Sequence, residues 1–183
     1  MKPFVVETTL QAPVEYIYDY LCDVEREIAN NQGKIIDAAY DTAEAGGHLI
    51  LSYQVDLSLA IVREVLHFQE KIKNQSILSQ FQYERYSISE HIQLQAESET
   101  STRVRIEYKP KSDTFYNFTT FGMNRVDAKR MAEQLCNLKA ISIRDVEDLY
   151  LRTQSSYSPF PIRHQVSKEE VKERLKRKAI IRV

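Results

Sequence analysis

From Lys34 to Pro110 the chain alternates, almost without a break, between apolar and polar side chains. Period-two alternation means strands with one face buried and one face wet. Strands of a parallel sheet, covered on both faces, would instead read as continuous apolar runs, so the pattern predicts an antiparallel sheet. Lys34 to Tyr40 is the first strand of the series, and Ala45-Gly46-Gly47 is a turn. Leu49, Leu51, Tyr53, Val55 and Leu57 then alternate with Ile50, Ser52, Gln54 and Asp56. Ala60 to Ile72 follows, with Val62, Leu66, Phe68 and Ile72 on one face, and Lys73-Asn74-Gln75 turns the chain back. Ile77, Ser79, Phe81 and Tyr83 share a face of the next strand; Ile88, Ile92, Leu94 and Ala96 share a face of the one after it. Glu97 to Thr102 is a polar hairpin connection. Val104, Ile106 and Tyr108 close the series, with Arg103, Arg105 and Glu107 pointing the other way.

Two flanking segments decide how such a sheet is covered. Phe4, Val6, Thr8 and Leu10 lie on one side of an N-terminal strand. Pro13 then supplies a fixed φ for the first turn of a helix whose apolar stripe is Val14, Ile17, Leu21, Val24 and Ile28. Asn30-Asn31-Gln32-Gly33 stops that helix. After Pro110 and an aromatic-rich stretch, Met123 to Tyr150 reads as one helix, with Ala128, Met131, Leu135, Leu138, Ser142, Val146 and Leu149 at three- and four-residue spacings. At 1.5 Å per residue it is roughly 40 Å long, enough to cross a whole sheet. The expected fold is α+β, of the helix-grip kind: a curved antiparallel sheet of about seven strands wrapped around a long C-terminal helix, with a short N-terminal helical segment.

The expected division is a helix-grip ligand-binding domain over 1–150, then a linker and a short basic helical tail over 151–183. Thr153 to Pro161 is rich in Ser and Pro, and Ser167 with Glu170 forms a capping-box pattern before a helix over Lys168 to Lys178. The 183 residues are 43% hydrophobic and 28% charged, with a net charge of −1, which argues against broad attraction to nucleic acid. From Arg163 to Val183 there are 8 basic and 3 acidic residues, so a basic tail follows an acidic body. The two cysteines, Cys22 and Cys136, lie in helical patterns outside any CxxC pair and are read as reduced thiols. No signal-peptide stretch and no membrane-length apolar run is present, and a cytoplasmic location is the expectation.

The order of strand, short helix, six strands and one long helix resembles the START-related superfamily, which includes lipid-transfer domains, plant pollen-allergen and hormone-receptor proteins, and bacterial polyketide cyclase-like proteins. The segment Ala12-Pro13-Val14-Glu15-Tyr16-Ile17-Tyr18-Asp19-Tyr20-Leu21-Cys22-Asp23 is similar to the entry motif of the bacterial members. The resemblance covers roughly residues 1–150. Tyr18 stands where tryptophan is common, and the chain has no tryptophan. The match is to a branch found in Gram-positive bacteria, for which the resemblance leaves function open. It implies a hydrophobic small molecule bound between sheet and helix, and it carries over no catalytic residue.

Inward positions by alternation are Tyr53, Phe68, Phe81, Tyr83, Ile92, Leu94, Ile106 and Tyr108, faced by Met131 and Leu135 from the helix. The expected cavity lining is Tyr53, Glu64, Phe68, Phe81, Tyr83, Ile92, Tyr108, Met131 and Leu135; a filled core with tyrosine hydroxyls at its rim is the alternative. Glu64 falls among Val62, Leu66 and Phe68, where a carboxylate is costly unless paired. It is the candidate polar anchor or acid/base, against a bulge or a rim position. Tyr16, Tyr20 and Asp23 lie off the stripe of the first helix, on a face expected to be partly exposed. His48, His67 and His91 fall on the outward face, and no HxH, HExxH or Cys/His cluster suggests a metal. GxSxG, GxxxxGK[ST] and GxGxxG are also missing, so no cofactor is expected.

The sequence therefore favours non-catalytic binding of a hydrophobic or amphipathic small molecule. A cyclase- or hydratase-type enzyme in the same cavity, with Glu64 as acid/base, is the first alternative. A regulatory protein acting through its outer face and basic tail is the second. Val171, Leu175 and Ala179 give the tail a narrow stripe that can dock on its own body or on a sister subunit, making a homodimer. Interleaved Glu169, Glu170 and Glu173 weigh against specific nucleic-acid binding and against membrane contact.

Overall fold

The computed structural model describes residues 1–24, 26, 33–42, 45–55, 61–83, 86–112, 123–158, 164–175 and 180–181, with the backbone alone at 33–35, 53–55, 61–64, 112, 123–124, 164, 172, 175 and 180–181. Seven long strands form the sheet: β1 (Phe4–Leu10), β2 (Gly33–Tyr40), β3 (His48–Val55), β4 (Ile61–Ile72), β5 (Ser76–Gln82), β6 (Tyr86–Ser98) and β7 (Ser101–Ser112). They run in the spatial order β1-β7-β6-β5-β4-β3-β2, and every neighbouring pair is antiparallel. Helix α1 (Val14–Cys22) joins β1 to β2, and α2 (Met123–Thr153) follows β7. The predicted α+β helix-grip architecture is present: a curved antiparallel sheet with a long C-terminal helix.

Curvature has local causes. The register shifts between Ile35 and Asp37 in β2, between Phe68 and Glu70 in β4, and between Ala96 and Ser98 in β6. Each such bulge adds a residue to one strand and bends it. Turn chemistry sets the hairpin ends. Asn74 adopts φ 61° between β4 and β5, a left-handed conformation that Asn tolerates. Gly46 takes φ 85°, and its N–H reaches the carbonyl of Phe68 at 2.6 Å.

The Ala12-Pro13 corner is pinned to the sheet. Thr102 Oγ1 donates to the Ala12 carbonyl at 2.9 Å, and both residues are fully covered. Pro13 sits one position earlier than predicted: it is the residue before the helix, and its carbonyl accepts from Ile17 N at 3.1 Å. Helix α1 also ends earlier, at Cys22; Asp23 then turns its carboxylate back to the N–H of Arg26 at 3.0 Å.

Helix α2 packs on β7, β1 and β6. Its buried stripe is Ala128, Ala132, Cys136, Lys139, Ile143 and Val146. Met131 and Leu135 flank the stripe half-buried, and Leu138, assigned inward from the sequence, is 49% exposed. The helix stops at Gln154, whose φ of 43° lets its N–H cap the Tyr150 carbonyl at 2.7 Å.

The C-terminal segment returns to the sheet. His164–Gln165 (β8) pairs in parallel with β2, and Ile180–Ile181 (β9) pairs antiparallel with the start of β4. Between them lies α3 (Lys168–Leu175), capped as predicted by Ser167 Oγ accepting from Glu170 N at 3.1 Å. Helix α3 contacts β3, its Val171 is 1% exposed, and Arg174 Nη1 binds Asp37 at 2.8 Å. This explains a departure from clean alternation. Ile50, on the face of β3 expected to be wet, is 2% exposed although it lies outside the main core cluster.

Candidate functional site

One row of residues crosses the inner face of the sheet. Cross-strand register aligns Phe68 with Ser79, Ser79 with Glu90, and Glu90 with Tyr108. Phe68 and its neighbours are apolar, but the next three side chains and one from the helix are knit around a carboxylate. Ser79 Oγ donates to Glu90 Oε2 at 3.0 Å, and Tyr108 Oη donates to Glu90 Oε1 at 2.5 Å. Lys139 Nζ, reaching down from α2, lies 3.3 Å from Glu90 Oε1. The Glu90 and Lys139 side chains are each 6% exposed.

The local sequence explains this placement. Glu90 occupies the inward position between Ile88 and Ile92, both fully buried, so alternation leaves its side chain nowhere else to go. Lys139 lies three residues after Cys136 and four before Ile143 on the buried stripe of α2, with Ser142 Oγ bonded to its carbonyl at 3.3 Å. An isolated charge at such a depth costs several kcal/mol. The opposite charge together with two hydroxyl donors compensates it. Chemically, the cluster offers a fixed ammonium, a phenol and a carboxylate in one place between sheet and helix. The carboxylate already accepts from three donors.

Of the lining residues read from the sequence, Phe68, Phe81, Ile92 and Tyr108 are buried in one cluster, and Tyr83, Met131 and Leu135 pack half-buried against it. Tyr83 stacks on Tyr86 with ring centroids 4.8 Å apart. The side chains of Tyr53 and Glu64 lie outside the described residues; register alone places Glu64 opposite Leu51 and Tyr53 opposite Val62. Glu90 and Lys139 were not singled out from the sequence. The signal was present, since Glu90 interrupts the inward series Ile88, Ile92, Leu94 as Glu64 interrupts its own.

A second polar-aromatic cluster ties the chain after α2 to α1. Tyr157 Oη donates to Asp23 Oδ2 at 2.7 Å, and its ring meets Tyr16 and Tyr20 edge-on at 5.4 and 5.7 Å. Tyr16 also meets Tyr150 at 5.1 Å. The Arg26 guanidinium lies over the Tyr157 ring and donates to the Ser158 carbonyl at 2.9 Å. Burial, reinforced by the Asp23 carboxylate, pushes the Tyr157 phenol far above its ordinary value. Tyr16 and Tyr20 are thus 5% and 2% exposed, and the face expected to be partly open is covered by Tyr150 and Tyr157.

On the outer face His48 and His67 are cross-strand partners with rings stacked at 4.5 Å, and Asp41 Oδ2 lies 3.3 Å from His48 Nδ1. Desolvation, then the neighbouring His48 charge, pushes the His67 imidazole below its ordinary value. A groove of about 520 Å³ also lies there, lined by Glu7, His91, Gln93, Arg103 and Arg105 among others. Its arginines are engaged locally, Arg105 with Glu7 and Glu107 and Arg103 with Glu97, as on a solvated face. Burial raises both thiols, Cys22 and Cys136, so neither is an activated nucleophile. Among the described residues, no group of three or more His, Cys, Asp and Glu is placed to hold a metal, and no helix is long and apolar enough to cross a membrane.

No family model matches the sequence, and no curated protein matches it. Solved structures do match in fold. The di-domain aromatase/cyclase StfQ from the steffimycin biosynthetic pathway superposes with a TM-score of 0.59 at 13% identity, over 82% of this chain and 46% of that one. The Zhui aromatase/cyclase from a Streptomyces species gives 0.55 at 10% identity, over 85% and 99%. Ara h 8.0201 gives 0.52 at 10% identity, over 82% and 98%. With the element order, the sheet topology and these superpositions together, the chain has the helix-grip fold that these aromatase/cyclases and Ara h 8.0201 share.

Proposed function

We propose that this protein binds a hydrophobic or amphipathic small molecule between the concave face of the sheet and α2, without transforming it. The observation that carries the reading is the Glu90–Tyr108–Ser79–Lys139 cluster, a polar group built into an otherwise apolar inner wall. Small-molecule sites have this composition: mostly apolar lining with a few placed polar groups. Phe68, Phe81, Tyr83, Ile92, Met131 and Leu135 supply the apolar side in this reading, with Tyr108, Glu90 and Lys139 setting orientation. Apolar burial at about 25 cal/mol per Å² supplies the affinity. Residues 1–150 form the binding domain, and 151–183 are a strap that docks on it.

The names of StfQ and Zhui favour a second reading, a cyclase acting in the same space. In this chain it would use the buried Lys139 ammonium to stabilise an enolate oxygen. Native mass spectrometry of the protein purified from its own cells tests the first reading, which expects a retained small molecule of unaltered mass after incubation. Recovery of the protein without a ligand, together with no saturable binding of the neutral dye Nile red, would rule it out. Conversion of the retained molecule to a dehydrated or cyclised product favours the second.

A further inference from the structure

We propose that the outer edge of β1 is an interface between two copies of this chain, which pair there as antiparallel strands and run their sheets together. The inference goes beyond the binding reading above and does not depend on it. β1 ends the sheet on its side and pairs with β7 alone. In an antiparallel pair alternate residues direct both backbone groups at the neighbouring strand, and the residues between direct theirs away. Among the described residues, no backbone group from Phe4 to Leu10 is hydrogen-bonded to anything but β7. Backbone donors and acceptors therefore stand open along the strand.

Proteins ordinarily protect such an edge with lysines, a proline, a bulge, a very short strand or a covering segment. β1 runs for seven residues, FVVETTL, with no lysine or proline among them, and its register with β7 is unbroken. Its one charge, Glu7, is taken by Arg105 at 3.1 Å. The side chains are left open as well. Tyr108, Ile106 and Val104, the β7 partners of Phe4, Val6 and Thr8, are at most 1% exposed, whereas Phe4, Val6 and Thr8 are only half-buried. On the other face Val5 is 41% exposed.

The other open edges are treated differently, and this selects the occupant. β8 pairs with Ala39 and Tyr40 at the far edge of the sheet, α3 reaches Asp37 on the same strand through Arg174, and β9 pairs with Ile61 and Val62. Growth of the sheet through β2 is thus obstructed by the chain's own tail. Pairing β1 with the β1 of a second copy uses both open edges at once and stops at two, a closed two-fold assembly. The symmetry keeps faces matched: Phe4, Val6 and Thr8 meet the same set, and so do Val5, Glu7 and Thr9. β-branched and aromatic cross-strand pairs of this kind stabilise a sheet. Glu7 enters with Arg105 already beside it, so no bare charge is brought to the seam.

The test is sedimentation velocity of the full chain from about 1 to about 200 µM, with amide hydrogen exchange on the same samples. A single strand pair is a small interface, so the expected dissociation constant is about 10 µM. Exchange within residues 4–10 should slow at least about fivefold as the dimer fills, with the exchange of β2 unchanged. A protein that stays monomeric throughout overturns the proposal, and so does growth past two copies. A dimer whose added protection lies outside β1 overturns the assignment of the edge. Val5→Glu sets a second carboxylate beside Glu7 on each facing edge, at an exposed position, and should weaken the dimer at least about tenfold at low salt. Far-UV circular dichroism establishes that the variant is folded; where it is not, the wild-type exchange pattern decides. A folded variant that dimerises as tightly as wild type refutes the edge as the seam.

Discussion

Replacing Lys139 by methionine keeps the length and apolar stem of the side chain and removes its charge. The structure sets the magnitude. At 3.3 Å and an effective dielectric near 20, the attraction between Glu90 and Lys139 is about 5 kcal/mol. Desolvation of two ions offsets most of that in the intact protein, but the single variant leaves Glu90 buried with only Ser79 and Tyr108 as donors. Removing one partner of a buried pair costs about 3–5 kcal/mol, a large share of a typical total of 5–15. Glu90→Gln should cost a similar amount, because it too removes one partner of the buried pair. The double variant Glu90→Gln/Lys139→Met strands no charge, and the glutamine carbonyl still accepts from Tyr108. It should lie within about 2 kcal/mol of wild type, so the two substitutions couple by about 4 kcal/mol or more. Urea unfolding followed by far-UV circular dichroism and by tyrosine emission, the chain having no tryptophan, gives all four corners of the cycle. Singles that each cost under 1 kcal/mol and add without coupling would mean a solvated pair, and the reasoning about the site would fail with it.

Three further outcomes are expected. Tyr157→Phe removes the hydrogen bond to the Asp23 carboxylate and should cost about 1.5 kcal/mol, read as a lower urea midpoint and faster proteolytic cleavage between α2 and α3. Val171→Ala should cost about 2 kcal/mol by loss of two buried methyl groups and the gap they leave; an unchanged midpoint would show that α3 does not cover β3. The His67 imidazole lies below its ordinary value in the fold, so the unfolded chain binds the proton more readily. Stability is therefore full above the unfolded imidazole value, about 6.5, and falls as pH drops through that value toward the lower folded one. His67→Gln should flatten the pH dependence of the midpoint between about pH 5 and 7, and a slope unchanged by the substitution would locate the titration elsewhere.

The sheet could be read from the sequence because its pattern is written by burial itself. Val104, Ile106 and Tyr108 are inside and Arg103 is outside, as period two requires. The order of elements then left few topologies. The site was read less well. An inward carboxylate was recognised at Glu64, whose side chain lies outside the described residues, while Glu90 obeys the same rule one hairpin further on and has all its partners in view. Lys139 was harder. On a helix of this length several stripes fit three- and four-residue spacings, and a lysine is ordinarily assigned to the wet side. The stripe through Val171 offered docking on the chain's own body or on a sister subunit without choosing between them, and the pairing of β8 and β9 had no pattern to read, because they are two residues each. The trace of the docking was in the partner surface: Ile50 among polar neighbours on a face expected to be wet.

Stability alone does not explain why an ion pair stands where apolar side chains would serve. Well-packed apolar replacements of buried pairs are often as stable or more so. What the pair adds is position. On the N-terminal side of Lys139 the buried stripe of α2 is Ala128, Ala132 and Cys136, small side chains that leave Ile143 and Val146 beyond it as the larger apolar contacts holding the helix against sliding along the sheet. A slip of one turn is about 5.4 Å. It would take Lys139 Nζ from 3.3 Å to well beyond hydrogen-bonding distance of Glu90 and bury both charges apart. Three strands meet the helix at this one carboxylate, so it adds a fixed point along the helix axis to those apolar contacts. A ligand bound between sheet and helix, as proposed, would meet a polar wall already formed and would not have to order it, which preserves affinity.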